Sequence, residues 1–213
     1  MSTQQTVEAA AETWTTKEVE AADLPAYVNS LSRLLTANLT VTVKGGTAAE
    51  LVAVRGFYGP GTLTIQAKEN AEVILSKGVS INNCGLFVQL KGLRLLNPEN
   101  GGGGLSVGSS CCSASGCSIT GNNTLYSNGG VYAHNGGVAS LHSCEIKNCG
   151  YGLNVQTGSI VVASNCTASE TRDGIAVMMG GIVLLSGTTP DLMGGSTNVK
   201  TGGIIVKANG TLL

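Results

Sequence analysis

From Leu39 onward, apolar and polar positions alternate in short runs, the period of a strand with one buried face. Leu39–Val43, Leu51–Val54, Leu63–Ile65, Val73–Leu75, Val79–Ile81, Leu86–Val88, Leu93–Leu96, Leu105–Val107 and Cys117–Thr120 all fit this pattern. Turn residues separate them: Gly45-Gly46, Gly59-Pro60-Gly61, Lys77-Gly78 and Asn82-Asn83. Helical periodicity occurs once, where Leu24, Val28, Leu31, Leu34 and Leu35 form one apolar stripe. Asp23 can cap this helix, Pro25 suits its first turn and Asn38 can stop it, which predicts a helix over 24–37. The polar, Thr- and Ala-rich residues before it, to about position 20, read as a loose lead-in or attachment segment.

The later runs repeat. Gly130-Val131-Tyr132-Ala133, Gly152-Leu153-Asn154-Val155 and Gly174-Ile175-Ala176-Val177 can be written one under another without a gap. In the same register Val138, Ile160 and Ile182 align, as do Ser140, Val162 and Leu184, and Cys144 meets Cys166. After an excursion over 189–202 the motif returns as Gly203-Ile204-Ile205-Val206. A fixed period of about 22 residues signals stacked units, none of which can bury its apolar face alone. Two or three strands per unit predict one coil of a right-handed parallel β-helix, so the fold class is all-β with a short N-terminal capping helix. Residues 39–213 would make roughly eight coils, and the domain would span 21–213. Within a coil, Leu153 and Val155 point inward and Asn154 outward. The helix can cover one raw end of the stack. Nothing comparable is read at the other end, and an uncovered coil invites self-association.

Composition fits this picture. There are 31 glycines and only 4% aromatic residues, which suits a fold of many tight turns rather than an aromatic core. The net charge is −1 and no charged block occurs, so neither nucleic acid nor an anionic membrane is indicated as a partner. No apolar run approaches the ~20 residues that span a bilayer. No signal peptide is visible at the N-terminus. Seven cysteines, an odd number, imply reduced thiols and assembly in a cytoplasm. Cys111, Cys112 and Cys117 lack zinc-ligand spacing, so neither a metal nor a cofactor is expected, and the cysteines read as small hydrophobes between coils.

Several segments carry a family resemblance. These are Leu24-Pro25, the run Leu39–Thr47 (LTVTVKGGT), the run Val54–Ile65 (VRGFYGPGTLTI) and the later run Gly174–Gly187. Together they resemble phage and prophage tail fibre and tail spike proteins of gut Firmicutes, whose β-helices are of the pectate-lyase-like kind. The resemblance implies a virion or phage-like tail component that contacts the host surface. It also implies a homotrimer alongside other tail proteins, a bacterial surface glycan as ligand, and no membrane insertion. A bacterial adhesin of the same fold is a further reading.

Glycoside hydrolysis needs two carboxylates at matched separation. The repeat register sets Glu145 against Thr167, Glu170 against Asn148 and Asp173 against Tyr151, so no two acids stack. Glu170 and Asp173 remain the weak catalytic candidates of a polysaccharide-degrading alternative, and no catalysis is the leading expectation. Binding asks for aromatic platforms and planar polar groups. Tyr126, Tyr132, His134, Tyr151 and Asn154 fall on consecutive coils and form the candidate glycan surface.

Overall fold

The structure is a computed structural model that describes residues 14–97, 103–121, 129–187, 196–207 and 209–212. Three parallel sheets wind around one interior as a β-solenoid of about seven turns, about 24 residues each, with one short N-terminal helix. The nine-stranded sheet holds, in spatial order, β1 (Trp14–Val19), β2 (Asn38–Val43), β5 (Thr62–Ala67), β8 (Phe87–Lys91), β11 (Cys111–Ser115), β14 (Val138–His142), β17 (Ile160–Ser164), β20 (Ile182–Ser186) and β22 (Ile204–Val206). The seven-stranded sheet holds β4 (Val52–Arg55), β7 (Val79–Asn82), β10 (Leu105–Gly108), β13 (Gly129–His134), β16 (Tyr151–Val155), β19 (Asp173–Val177) and β21 (Ser196–Val199). The six-stranded sheet holds β3 (Gly46–Ala48), β6 (Val73–Leu75), β9 (Arg94–Leu96), β12 (Ser118–Thr120), β15 (Glu145–Lys147) and β18 (Thr167–Ser169).

The ladders confirm the repeat where it is clearest in the sequence. Val131 pairs with Leu153 and Leu153 with Ile175. Val138, Ile160, Ile182 and Ile204 follow one another at one constant offset. Earlier coils are longer, since Leu39 pairs with Leu63, Val79 with Leu105 and Cys112 with Ala139. The count of about seven turns, at about 24 residues per turn, corrects the expected eight shorter ones. Extra residues enter at corners, leaving strand spacing and interior columns unchanged. One such column runs Leu39, Leu63, Val88, Cys112, Ala139, Val161, Val183 and Ile205, all buried. Burying each large aliphatic side chain contributes ~1.5–3 kcal/mol, and stacking of such residues fills this column without an aromatic.

The corners explain the glycine content. Each turn leading into the nine-stranded sheet from Asn135 on uses two left-handed residues: Asn135-Gly136, Thr157-Gly158, Met179-Gly180 and Thr201-Gly202. A tight turn with two positive φ angles admits Gly or Asn readily and a branched residue at a cost. Asn148 (φ 53°) and Glu170 (φ 54°) hold the equivalent left-handed position at another corner. At the third corner each left-handed residue precedes an inward one, which stacks Cys117, Cys144 and Cys166 as buried thiols outside any disulfide. Burial pushes the Cys112 and Cys149 thiols up to about 12, so both stay protonated at neutral pH.

The N-terminal end differs from the expectation in two ways. The helix α1 spans only Leu24–Ser30, entered through a 3₁₀ turn at Ala21–Asp23, and Asp23 makes no capping bond with its side chain. Leu31 turns extended, and Arg33 and Leu35 instead bond with Tyr58: Tyr58 N donates to Arg33 O and Leu35 N to Tyr58 O. Backbone pairing with the next coil thus outcompetes a last helical turn. The expected lead-in contains a strand, since β1 pairs in parallel with β2 from Trp14 onward. Ion pairs Glu18–Lys68 and Glu20–Lys44, both 3.0 Å, tie it down. α1 packs on β4, the end strand of its sheet, and the 3₁₀ turn on β3, with Ala21, Leu24 and Val28 buried. The helix is therefore the cap that the apolar stripe suggests.

Three further strands, β3, β11 and β21, form where the sequence reading places none. The 189–202 excursion is correspondingly shorter, because Ser196–Val199 pairs with β19. At the far end Leu212 bridges back to Val206 in antiparallel fashion.

Candidate functional site

Strand alternation presents two outward columns on the seven-stranded sheet. The first runs Ala53, Ser80, Ser106, Tyr132, Asn154, Ala176 and Asn198, and the second Arg55, Asn82, Gly108 and His134. Register alone brings these residues from distant sequence positions to neighbouring rungs, ~4.8 Å apart. Around Tyr132 they are uncharged hydroxyls, amides and rings.

The geometry there is ordered by short contacts. The Tyr132 and His134 rings stack with centroids 4.7 Å apart and planes inclined by 23°. The Ser106 hydroxyl lies 3.4 Å from His134 Nε2, and Asn82 Nδ2 donates to Ser80 Oγ at 2.6 Å. Gly108 is the gap that admits the imidazole: a Cβ at that position would collide with Asn82 Oδ1 and with the His134 ring. Partial burial lowers the His134 pKa below its ordinary 6.5, so the ring is neutral at neutral pH.

Asn154 sits beside Tyr132 in the column as expected, but it is only 4% exposed. Its Oδ1 accepts a bond from Gln156 Nε2 at 2.8 Å, and the half-buried Gln156 amide is the one nearer the surface. Gln156 is absent from the sequence-based cluster because it follows the strand motif, though it keeps the outward parity of Asn154. Tyr151 lies three residues before Asn154 on β16, ~10 Å away along the strand. It pairs with Asp173 and carries the Arg172 guanidinium over its ring at 5.6 Å. The expected cluster therefore divides into a Tyr132–His134–Asn154 part and a Tyr151 part. Tyr126 lies outside the described residues.

The acids stand apart from this strip. Glu170 is an exposed, left-handed corner residue, and Asp173 is half-buried at the start of β19, 3.7 Å from Arg172 Nε. The ladders place Thr167 opposite Glu145 and Tyr151 opposite Asp173, as the register implies. His142 lines up with Ser164 and Ser186 on the other sheet. Cys111 faces outward while Cys112 and Cys117 face the interior, so the three do not converge. The arrangement around Tyr132 can offer an aromatic face and several hydrogen-bonding groups to a polyhydroxylated ligand.

Compared with known proteins, the chain matches the family described as Right handed beta helix region over residues 58–210. No curated protein and no solved structure matches it.

Proposed function

The chain belongs to the right-handed β-helix family, and on that premise we propose that it is a non-enzymatic attachment segment of a phage or phage-like tail fibre or spike. In this reading it binds a bacterial surface glycan on the outer face of β7, β10, β13 and β16, and it works as a homotrimer with other tail proteins. The fold is compatible with surface binding or with action on polysaccharide. One observation favours binding: the Tyr132–His134 stack lies in register with Ser106, flanked by Asn82 and Gln156, on four successive rungs. Such a strip follows a linear polymer along the solenoid axis, each rung meeting another part of the chain. The resemblance of the helix-to-coil entry and of the later coils to tail proteins supports the tail context.

The hydrolytic alternative would rest on Glu170 and Asp173. Glu170 is exposed at a turn and Asp173 is drawn toward Arg172, which does not resemble a carboxylate pair flanking a scissile bond. Titration calorimetry with capsule and wall polysaccharides tests the proposal. Saturable binding that Tyr132→Ala weakens at least ~10-fold is expected for the loss of a stacking platform. Undiminished binding by Tyr132→Ala would overturn this face as the site. Release of reducing ends by the wild type, abolished in Glu170→Gln, would overturn the non-enzymatic reading. The location of the chain on purified particles by immunogold labelling tests the tail assignment.

A further inference from the structure

The outer face of the nine-stranded sheet changes character along the axis. Near the N-terminal end its outward positions are largely polar, with Thr40, Thr62, Thr64, Gln89 and Lys91 alongside the exposed Phe87. Toward the other end the equivalent positions become Ile160, Val162, Ile182, Leu184, Ile204 and Val206. The inward residues of the same strands, Val161, Val183 and Ile205, are buried, so β17, β20 and β22 are apolar on both faces. Parallel strands with that pattern belong to sheets covered on both sides. Here the second side is open: Ile204 is 42% exposed and the other five residues are partly exposed. From β11 to β22 no outward position of this sheet is Asp, Glu, Lys or Arg.

We propose that this face packs against the same face of a second copy of this chain. The inference rests on the oligomeric reading above and assigns its surface. Three features single out a copy as the occupant. A ladder of branched side chains repeating every ~4.8 Å interdigitates along its length only with a ladder of the same pitch, as paired sheets do. With no carboxylate, ammonium or guanidinium on the patch, identical faces meet without like-charge repulsion. The five strands from β11 to β22, three to five residues wide, offer ~400 Å² per copy, and the four strands before them extend the face to ~700 Å², against the ~800 Å² per partner of a standard interface. The apolar columns would form its dry centre, and the polar column of Ser115, His142, Ser164 and Ser186 its rim.

Light scattering on the full chain tests this. The wild type is expected as a dimer or trimer, and Val162→Lys combined with Leu184→Lys as a folded monomer by circular dichroism. Thr167→Lys, exposed on the six-stranded sheet, should leave the mass unchanged. In an independent readout, Leu184→Cys in a Cys111→Ser background should react with a maleimide at least ~10-fold more slowly in concentrated than in dilute protein, since assembly covers it by mass action. A wild type that is monomeric when concentrated overturns both the oligomer and this face, and leaves the face to a different protein. An oligomeric wild type whose Leu184→Cys thiol labels equally at both concentrations, or a folded double-lysine variant that stays oligomeric, overturns the face alone. The glycan reading is untouched by either result, because it is decided by Tyr132→Ala.

Discussion

The two outer faces of this solenoid are made by the same coils and differ only at every second residue. On β13 the run Val131-Tyr132-Ala133-His134 places a stacked aromatic pair outside, while on β17 Ile160-Val161-Val162-Ala163 places two branched aliphatics there. Their inward residues are alike: Val131, Ala133, Val161 and Ala163 are all fully buried. The difference teaches that the interior columns carry the fold and the outward columns are free to carry recognition. One face then suits a hydrated, hydroxyl-rich ligand and the other a dry apolar partner.

The comparison can be broken at its common base. Leu153 stacks between Val131 and Ile175 at 0% exposure, so Leu153→Ala should cost ~2–5 kcal/mol and weaken both faces together. Urea unfolding of the variant beside the wild type measures this, and a loss below the lower figure would mean that the column is less tightly packed than described. A narrower break falls on the polar face. Gly108→Ala forces a methyl between Asn82 and His134 and should cost ~1–3 kcal/mol as an overpacking change. Glycan binding should fall while the oligomer persists, and calorimetry with light scattering reads both.

A smaller effect tests the corners that join the faces. Glu170 holds φ 54°, a conformation with a steric cost for any residue bearing a Cβ, so Glu170→Gly should stabilise by ~0.5–1 kcal/mol. The same variant should bind glycan as the wild type does, because the corner lies off the strip. The smallest expected effect is a pH dependence on the polar face alone. Burial holds the His134 pKa below 6.5, so the unfolded chain takes up the proton first. The stabilisation is complete above that value and is lost as pH falls through the folded pKa. His134→Gln should flatten this part of the urea-midpoint curve, and an unchanged curve would remove His134 as its source.

Much of this is legible in the residues. The alignment of Val131, Leu153 and Ile175 predicts the ladder that the structure shows, and their inward direction as well. The helix is legible as a cap but not in length: Leu34 and Leu35 fit its stripe, yet they lie beyond its end because Tyr58 of the next coil offers backbone bonds. The strand Trp14–Val19 is hidden because Thr15 to Glu18 are polar and exposed, and backbone pairing with β2 holds them. Asn154 reads as a surface amide, and only the Gln156 side chain bonded to it reveals otherwise.

What the sequence determined by itself is the repeat and the inward columns, because burial of alternate residues writes a period directly into the chain. Which outward residues become neighbours across the longer coils follows from the winding alone. Tyr132 meets Ser106 and Val138 meets Cys111 across coils longer than the repeat, and such insertions change the offset from one coil to the next with no mark on the strands themselves.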